Sequence, residues 1–308
     1  MRNLNLNTLP GSRQMTAITL DALNALPHDD FARVLGDVFE HSPWIAAAAA
    51  AARPFATVSD LHDAMVAAVR ASPQEKQLAF LRGHPELAGL QARAGTLTAE
   101  STAEQSSLGF QNLAKTDTEQ FARLNAAYTA KFEFPFIICV RHHTRDAILQ
   151  QFQQRLANDA ATEQAAALTE IGNISRLRLV AKVDGSGMPK TDGRLSTHVL
   201  DTVAGRPAAN VKIELFELGE RGGGLIVAAH TNIDGRTDAP LMAGGPLRIG
   251  TYQLLFHIGD HFRQSQNAGA EPAFLDVVPI RFSISEPTGH YHVPLLASPW
   301  SYTTYRGS

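Results

Sequence analysis

The sequence predicts two domains, an all-α helical bundle followed by an all-β sandwich, and three observations support this fold class. The chain has 308 residues, about twice the length of an ordinary domain. Apolar residues recur at three- and four-residue steps before residue 180 and at every second position after residue 195. Between these patterns lies DGSGMPKTDGR at 184–194, whose glycines are typical of a linker.

These patterns set the expected domain bounds. We expect a flexible N-terminus at 1–15, the helical domain at 16–183, the linker at 184–194 and the β domain at 195–308. Chain termini are often loosely ordered, and the first residues carry no apolar periodicity.

Composition excludes several classes of protein. Lys and Arg number 27 against 30 Asp and Glu, so a strongly basic nucleic-acid binder is not expected. Hydrophobic residues make up 44 %, too many for a disordered chain. The single cysteine, Cys139, allows neither an internal disulfide nor a cysteine-based zinc site, and no metal is expected. No apolar run approaches the ~18 residues of a membrane span, and no signal peptide is visible, so we expect a cytoplasmic protein without membrane partners.

The helices are expected to follow one another between clear breaks. Pro27 separates two short apolar patterns, because proline disrupts a helix interior. Ser59 is expected to cap a helix that runs through Arg70. The last helix is expected from about Ala160 to Val180.

One apolar stretch in the helical region is not expected to be a helix. FEFPFIICVR at 132–141 contains Pro135, so it is expected to be an extended segment that enters a helix near Thr144. Backbone groups in such a segment are available to bind a ligand.

The β domain is predicted from short alternating runs. Side chains alternate over 211–216 and 251–258. Glycine-rich turn signals separate the runs, at 222–224, 234–235 and 244–246. Several short strands within ~115 residues are typical of a sandwich.

Histidines and an arginine are the candidate catalytic groups of the β domain. On a strand, His290 and His292 share a face and Tyr291 points away. Two imidazoles side by side suit proton transfer, because the unperturbed pKa of an imidazole is ~6.5. His198 is expected on a strand that places it on one face with Ser196, and Arg236 follows a turn where it could stabilise an oxyanion. From spacing alone, core or surface roles for these residues stay open.

Four ordered motifs then resemble a known family, 5-hydroxyisourate hydrolase, the transthyretin-related enzyme of urate degradation. They are LSTHVLDTVAGRPA at 195–208, TNIDGR at 231–236, HYHVPLLASPWSYTTYRGS at 290–308 and the final YRGS. The resemblance implies a transthyretin-like sandwich in which catalytic residues line a pocket at a subunit interface: His198, Arg236 and His292. It implies that the C-terminal tetrapeptide with Tyr305 and Ser308 closes this pocket, with His290 beside it.

The implied reaction is hydrolytic opening of the six-membered ring of 5-hydroxyisourate, without a cofactor. His198 and His292 would activate water, and Arg236 would stabilise charge on the carbonyl oxygen. The alternative is a ligand carrier of the transthyretin type. Carriers lack the histidine and arginine set, which this sequence keeps.

The helical region offers weaker local signals. His84 precedes a proline, which places it at a turn or helix boundary. Ser101, Glu104 and Gln105 fall on a capping-box pattern, so a plain helix N-terminus is one interpretation and a ligand-binding turn is another. Arg178 lies on the last helix, where it could edge a pocket.

Ordered motifs across about 20–180 resemble a second family, the decarboxylase for 2-oxo-4-hydroxy-4-carboxy-5-ureidoimidazoline (OHCU). They are LNALPHDDFARVLGDVFEHSPWIA, RPFATVSDLHDAM, HPELAG, SxxEQ, FEFPFIICVR and the IxxISRLRL ending. The resemblance implies His84 as the catalytic residue and the following as substrate contacts: Ser101, Glu104, Gln105, Arg178 and the backbone of Phe136 and Ile137. It implies no cofactor. The alternative is a helical scaffold that only oligomerises the β domain.

The two resemblances support each other, because the product of the hydrolase would be the substrate of the decarboxylase. Together they imply a bifunctional enzyme of urate breakdown that forms (S)-allantoin. They imply self-association, with a tetramer through the β domain and dimer contacts through the helical domain, and no nucleic-acid partner.

Overall fold

The computed structural model describes residues 17–89, 99–106, 115–220, 224–264 and 272–307. The described chain forms two compact units, one from Met1–Gly83 with Gly172–Pro189 and one from His84–Ile171 with Lys190–Ser308. These units follow spatial contacts, and the domain bounds expected from the sequence stay a prediction. The expected N-terminus at 1–15 lies outside the described residues.

The first unit is built from short helices. They are α1 (Leu20–Asn24), α2 (His28–Val34), α3 (Pro43–Ala49), a 3₁₀ turn (Ala50–Ala52), α4 (Val58–Arg70), α5 (Gln74–Arg82) and the C-terminal part of α9 (Ala160–Lys182). Pro27 precedes α2, as the sequence predicts. No helix among the residues placed by the structure is long and apolar enough to cross a membrane.

The start of α4 differs from the expectation. Thr57, and not Ser59, is the N-cap, and its hydroxyl accepts a hydrogen bond from the Asp60 N–H at 3.0 Å. Ser59 instead donates to the Gly187 carbonyl at 2.8 Å. Gly187 has φ +59°, and a Cβ there would lie 2.5 Å from Thr57, so this position requires glycine. The first part of the expected linker is therefore fixed against α4.

The first unit also contains a small sheet that the all-α prediction missed. β1 (Ile18–Thr19) pairs in parallel with β2 (Val183–Asp184). Two-residue strands are too short to show alternation, so the pattern could not reveal them.

The second unit begins with a helical part. It comprises α6 (Ala99–Ser106), α7 (Lys115–Phe132), a 3₁₀ turn (Val140–His142), α8 (Arg145–Arg155) and the N-terminal part of α9. The stretch between α7 and the 3₁₀ turn is extended, as Pro135 predicts. Thr144 caps α8 through its hydroxyl, which accepts from the Ala147 N–H.

The rest of the second unit is a β-rich domain. Its strands are β3 (Gly193–Ser196), β4 (Val199–Asp201), β5 (Arg206–Pro207), β6 (Lys212–Leu218), β7 (Gly224–His230), β8 (Met242–Gly245), β9 (Gly250–Phe256), β10 (Val278–Ile284), β11 (His290–His292), β12 (Leu295–Ser298) and β13 (Ser301–Thr304). One sheet has the order β10-β9-β6-β7, and the others have β11-β3-β8 and β13-β12-β4-β5. Buried side chains from these strands form a continuous core.

Two strands are interrupted at the same level of the domain. β3 and β4 are separated by Thr197 and His198, and β11 and β12 by Val293 and Pro294. The pairing continues across the break, because Val293 N–H donates to the Ser196 carbonyl and Leu295 N–H to the His198 carbonyl, at 3.0 and 2.8 Å. His198 therefore lies at the break between these two sheets.

The all-β prediction missed one helix. The alternation was expected to continue through Ile258, but β9 ends at Phe256 and α10 runs from Ile258 to Gln264. Ile258 and Phe262 are both buried and lie four residues apart, on one helix face. An apolar residue at 258 is consistent with both the two-residue period of a strand and the 3.6-residue period of a helix. The sequence pattern therefore assigned Ile258 to the strand, although it begins the helix.

A backbone pairing joins the helical and β-rich parts within this unit. Ile249 N–H donates to the His142 carbonyl at 2.7 Å, and Thr144 N–H donates to the Ile249 carbonyl at 2.9 Å. The next residue, Gly250, packs so closely that a Cβ would lie 2.6 Å from Thr144.

Candidate active sites

His198 lies at the interruption between β3 and β4, so the expectation that it sits on a strand is corrected. Gly235, with φ +68°, packs against it: a Cβ there would lie 2.3 Å from the Val199 carbonyl oxygen and 3.1 Å from the His198 ring. Val199 N–H donates to the Gly235 carbonyl at 2.8 Å. Only glycine permits the turn to approach the histidine this closely.

The same turn carries Arg236, as the sequence predicts. Asn232 holds it, since its N–H donates to the Arg236 carbonyl at 2.7 Å and its Oδ1 accepts from the Arg236 N–H at 3.2 Å. The Arg236 side chain is exposed. A guanidinium at this place is available to an anionic oxygen of a ligand.

His290 and His292 share a face of β11, as expected, while Tyr291 is buried on the other side. The Ser196 hydroxyl lies between the two rings, 3.0 Å from His292 Nδ1 and 3.2 Å from His290 Nε2. Ser196 pairs with His292 across the parallel strands β3 and β11. It therefore orients both imidazoles.

Two histidines of this cluster, His198 and His292, favour their neutral form. Burial, followed by the charge of Arg236, lowers the pKa of His198. Burial lowers the pKa of His292 as well, and Arg236, His198 and His290 add to the effect. Within the described residues the buried His198 Nε2 has no hydrogen-bond partner. A neutral imidazole with such a nitrogen is suited to accept a proton from water.

The C-terminal segment lies against His292. Gly307 N–H donates to the His292 carbonyl at 2.8 Å, and a Cβ on Gly307 would lie 2.9 Å from the His292 ring. The Arg306 guanidinium lies 4.5 Å from the centre of the Tyr291 ring, and Tyr305 is 56 % exposed. Ser308 lies outside the described residues. The structure thus gathers two strands, one turn and this segment around a single cluster.

In the helical part of the second unit, His84 lies in a half-buried turn before Pro85. Asn125 on α7 holds this turn, since its side-chain amide donates to the Leu87 carbonyl at 2.9 Å. His84 itself also interacts with neighbouring groups. The turn is therefore a fixed place for a histidine.

Ser101 and Glu104 lie on α6, which begins at Ala99. Ser101 is thus inside the first turn, and not at the cap that the sequence suggested. Ser101 is buried and Glu104 half-buried, while the Gln105 side chain lies outside the described residues. Glu104 lies near enough to the extended segment for its charge to act there: burial, Glu170 and then Glu104 raise the pKa of the Cys139 thiol.

Phe136 and Ile137 are both buried in that extended segment. The Phe136 ring stacks on Phe152 with centroids 3.8 Å apart, so its side chain belongs to the core. The Ile137 carbonyl accepts a hydrogen bond from Arg155 at 2.8 Å. At these two residues the backbone N–H groups, rather than the side chains, are therefore the groups available to a ligand.

Arg178 lies in the first unit, on α9. Its Nη1 forms a buried ion pair with Glu40 Oε2 at 2.7 Å. A substrate role for Arg178 stays a prediction.

The fold and these clusters define a two-part enzyme, in which a helical region and a transthyretin-like domain each carry a candidate site. Residues 24–180 match the model of the family described as OHCU decarboxylase, and residues 195–307 match that of the HIUase/Transthyretin family. The chain belongs to the OHCU decarboxylase family through its first half and to the HIUase/transthyretin family through its second.

Individual relatives agree with this assignment. The chain is 38 % identical over 168 residues to the 2-oxo-4-hydroxy-4-carboxy-5-ureidoimidazoline decarboxylase of Haloferax volcanii, which covers 54 % of this chain and 98 % of the relative. It is 55 % identical over 116 residues to 5-hydroxyisourate hydrolase 2 of Rhizobium meliloti (strain 1021), covering 38 % and 97 %. A solved structure of (S)-allantoin synthase is similar over 94 % of this chain and 100 % of that chain, with 35 % identity and a TM-score of 0.53.

Proposed function

We propose that this chain is a bifunctional enzyme that converts 5-hydroxyisourate to OHCU and OHCU to (S)-allantoin. The β-rich domain catalyses the hydrolysis and the helical region the decarboxylation. The observation that carries the proposal is the similarity to (S)-allantoin synthase over 94 % of the chain. The relatives of each half are enzymes of these two consecutive reactions.

The hydrolase step uses the histidine and arginine cluster. A neutral imidazole, His198 or His292, takes a proton from water as its oxygen bonds to a ring carbonyl carbon. Arg236 stabilises the negative charge that develops on the carbonyl oxygen. The ring C–N bond then breaks, the nitrogen receives the proton from the imidazolium, and the carbon becomes a carboxylic acid that releases its proton to solvent as the carboxylate. His290, Tyr305 and Ser308 contact the substrate in this proposal.

The decarboxylase step is centred on His84. The C–C bond to the carboxylate breaks, CO₂ leaves, and the electron pair moves into the neighbouring imine of the substrate. His84 holds or deprotonates the adjacent hydroxyl. It then directs the delivery of a proton to the carbon of the former imine. Delivery to one face gives one enantiomer of allantoin.

The remaining predicted residues bind the substrate. Glu104 accepts hydrogen bonds from the ureido N–H groups, with Ser101 and Gln105 beside it. Arg178 holds an anionic or carbonyl oxygen. Backbone N–H groups at Phe136 and Ile137 supply further donors.

We also propose that the β domain assembles into a tetramer and that the helical domain adds dimer contacts. Support comes from three exposed aromatic side chains in the C-terminal segment, Trp300, Tyr302 and Tyr305, at 63 %, 45 % and 56 %. Large exposed apolar groups in one region often mark a protein interface. Light scattering of the purified chain tests this, and a monomer at micromolar concentration contradicts it. The cytoplasmic location stays a prediction.

The function is tested by circular dichroism on 5-hydroxyisourate freshly made from urate. The parent is expected to give one-handed allantoin rapidly. His292→Ala is expected to block the first step and His84→Ala the second, each leaving the other step intact. His230→Ala, at an exposed histidine of β7, is the matched control.

The contrary outcomes are distinct. Fast ring opening followed by slow racemic allantoin would exclude a working decarboxylase. No acceleration of either step would favour the carrier and scaffold alternatives.

A further inference from the structure

The extended segment between α7 and the 3₁₀ turn is held by side chains on both sides. The Ile137 carbonyl accepts from Arg155 Nη1 at 2.8 Å, and the Cys139 N–H donates to Glu170 Oε2 at 2.7 Å. The N–H groups of residues 136–138 donate to no described residue, although these residues are at most 6 % exposed. Buried backbone donors are normally paired, so these N–H groups are available to an acceptor on a ligand.

Arg155 is itself fixed by a fully buried carboxylate. Its Nε lies 2.8 Å from Glu163 Oε1, and Glu163 is 0 % exposed. The Tyr128 hydroxyl donates to the same oxygen, and the Asn158 amide donates to Glu163 Oε2 at 2.7 Å. Three side chains therefore hydrogen-bond to this carboxylate, and the bond from Arg155 restricts the conformation of the Arg155 side chain.

Aromatic packing restricts the segment further. The Arg155 guanidinium carbon lies 4.6 Å from the centre of the Phe136 ring, and that ring stacks on Phe152 with planes 15° apart. Arg155 thus contacts the segment through both a carbonyl and a ring. A buried ion pair contributes little net stability, because desolvation of the charges offsets their attraction. Its effect here is positional.

The geometry of the peptide bond identifies which donor is fixed. In a trans peptide the C=O of one residue and the N–H of the next lie in one plane and point in opposite directions. Holding the Ile137 carbonyl therefore aims the Ile138 N–H away from Arg155. Ile138 was not among the residues expected from the sequence.

We propose that Arg155 and Glu163 are positioning residues of the decarboxylase, which aim the Ile138 N–H at an oxygen of the substrate. The inference rests on the proposed decarboxylase function. A donor held before the reaction begins stabilises developing charge without reorganisation. Arg155 and Glu163 touch no substrate atom in this proposal and act through the 137–138 peptide.

Rates of both reactions in the same chain test the proposal. Arg155→Met is expected to lower the decarboxylase kcat about 10²-fold, the usual loss for an oxyanion donor, while the hydrolase rate stays within about twofold of the parent. Arg155→Lys, which keeps the charge but not the fork of donors, is expected to recover part of the loss. Arg123→Met, at an exposed arginine of α7, is the matched control.

A second variant guards against unfolding. Arg155→Met leaves Glu163 as an unpaired buried charge, whereas Arg155→Met with Glu163→Gln removes both charges. The double variant is expected to keep the parent's helical circular dichroism and hydrolase rate but to stay deficient in decarboxylation. Normal decarboxylation in the folded double variant would overturn the proposal.

A direct observation of the donor comes from ¹⁵N-isoleucine labelling. Titration with (S)-allantoin is expected to shift the Ile138 amide signal saturably in the parent and not in the double variant, with Ile213 as a remote reference. An unmoved Ile138 signal in a parent that binds allantoin would also overturn the inference. A parent with no decarboxylase activity would instead reject the proposed function, so the two failures are distinguishable.

Discussion

A single hydroxyl serves two imidazoles in the hydrolase cluster. Ser196 has one proton to donate and lies within hydrogen-bond distance of both His290 and His292. Whichever ring accepts that proton has its tautomer set, so the other nitrogen of the ring carries the hydrogen. Ser196 thereby influences whether the outer nitrogen of His292 is free to act as the base.

Removal of this hydroxyl is the first prediction. Ser196→Ala is expected to lower the hydrolase kcat about fivefold, since a hydrogen bond contributes about 1 kcal/mol. The loss is measured as ring opening of 5-hydroxyisourate in steady state. Ser283→Ala, at an exposed serine of β10, should be unchanged. An unaltered rate for Ser196→Ala would show that the hydroxyl does not orient the base.

The lowered pKa values of His198 and His292 predict the pH dependence of hydrolysis. A lowered pKa keeps an imidazole neutral at more acidic pH, so the acid limb of kcat/KM should lie below the ordinary value of ~6.5. In Arg236→Gln the cation is gone, the pKa of both histidines rises, and the limb should move to higher pH. Rates from about pH 5 to 8 decide this. A limb that stays in place, or moves to lower pH, would contradict the role given to Arg236.

At the scale of single residues, the sequence predicts which side chains share a strand face better than it predicts which side chains hydrogen-bond to each other. Period two correctly placed His290 and His292 on one face. Ser196 was seen only as a neighbour of His198, because its contact with His292 depends on the parallel pairing of β3 with β11. A hydroxyl two residues before a histidine is the one local signal that could have suggested it.

Among the elements, the turn after β7 strongly restricts which residue can occupy position 235. Gly235 has a positive φ, and a Cβ added to it would also lie 2.3 Å from the Val199 carbonyl oxygen, whereas Gly205 has φ +64° with open space around it. A side chain at Gly205 would therefore cause backbone strain alone, whereas one at Gly235 would cause both backbone strain and a steric clash. Positive φ alone costs an L-residue about 1–2 kcal/mol.

The pair gives the third prediction. Gly205→Ala should destabilise the protein by about 1 kcal/mol, while Gly235→Ala should cost about 3 kcal/mol or more and should displace His198. Urea unfolding measures the free energies, and the hydrolase rate at low temperature measures the displacement. Equal losses in the two variants would mean that the contact with Val199 relaxes freely.

Element boundaries show where local patterns stop being informative. Thr57 and Ser59 are both residue types that cap helices. Thr57 is the cap in the structure, while the Ser59 hydroxyl donates to the Gly187 carbonyl instead. The Arg155–Glu163 pair was not foreseen, because nothing in a single sequence distinguishes a buried arginine on α8 from an exposed one. Pro135, by contrast, predicted the extended segment from covalent geometry alone.

For the whole molecule, the sequence predicted both family segments but not how the helical and β-rich parts join in the second unit. The junction is a backbone pairing of Ile249 with His142 and Thr144. Main-chain hydrogen bonds do not depend on side-chain type, so no residue pattern marks them.

The junction provides the fourth prediction. Ile249→Pro removes the N–H that donates to the His142 carbonyl, and loss of a hydrogen bond at a buried residue is expected to cost about 1–3 kcal/mol. The thermal midpoint should fall by about 3–10 °C. Ile249→Val keeps the backbone and is the control, with a shift near zero. A normal midpoint in the proline variant would mean that water replaces this bond without cost.

The pairing at Ile249 also bears on how the chain changes over generations. Ile249 lies in the segment of one family and His142 in the segment of the other. A substitution that displaces the backbone of Ile249 also affects residues 142–144, which lead into α8. Selection on one activity therefore constrains residues of the other, and a division of the chain between the two segments would leave both halves of this pairing in need of new partners.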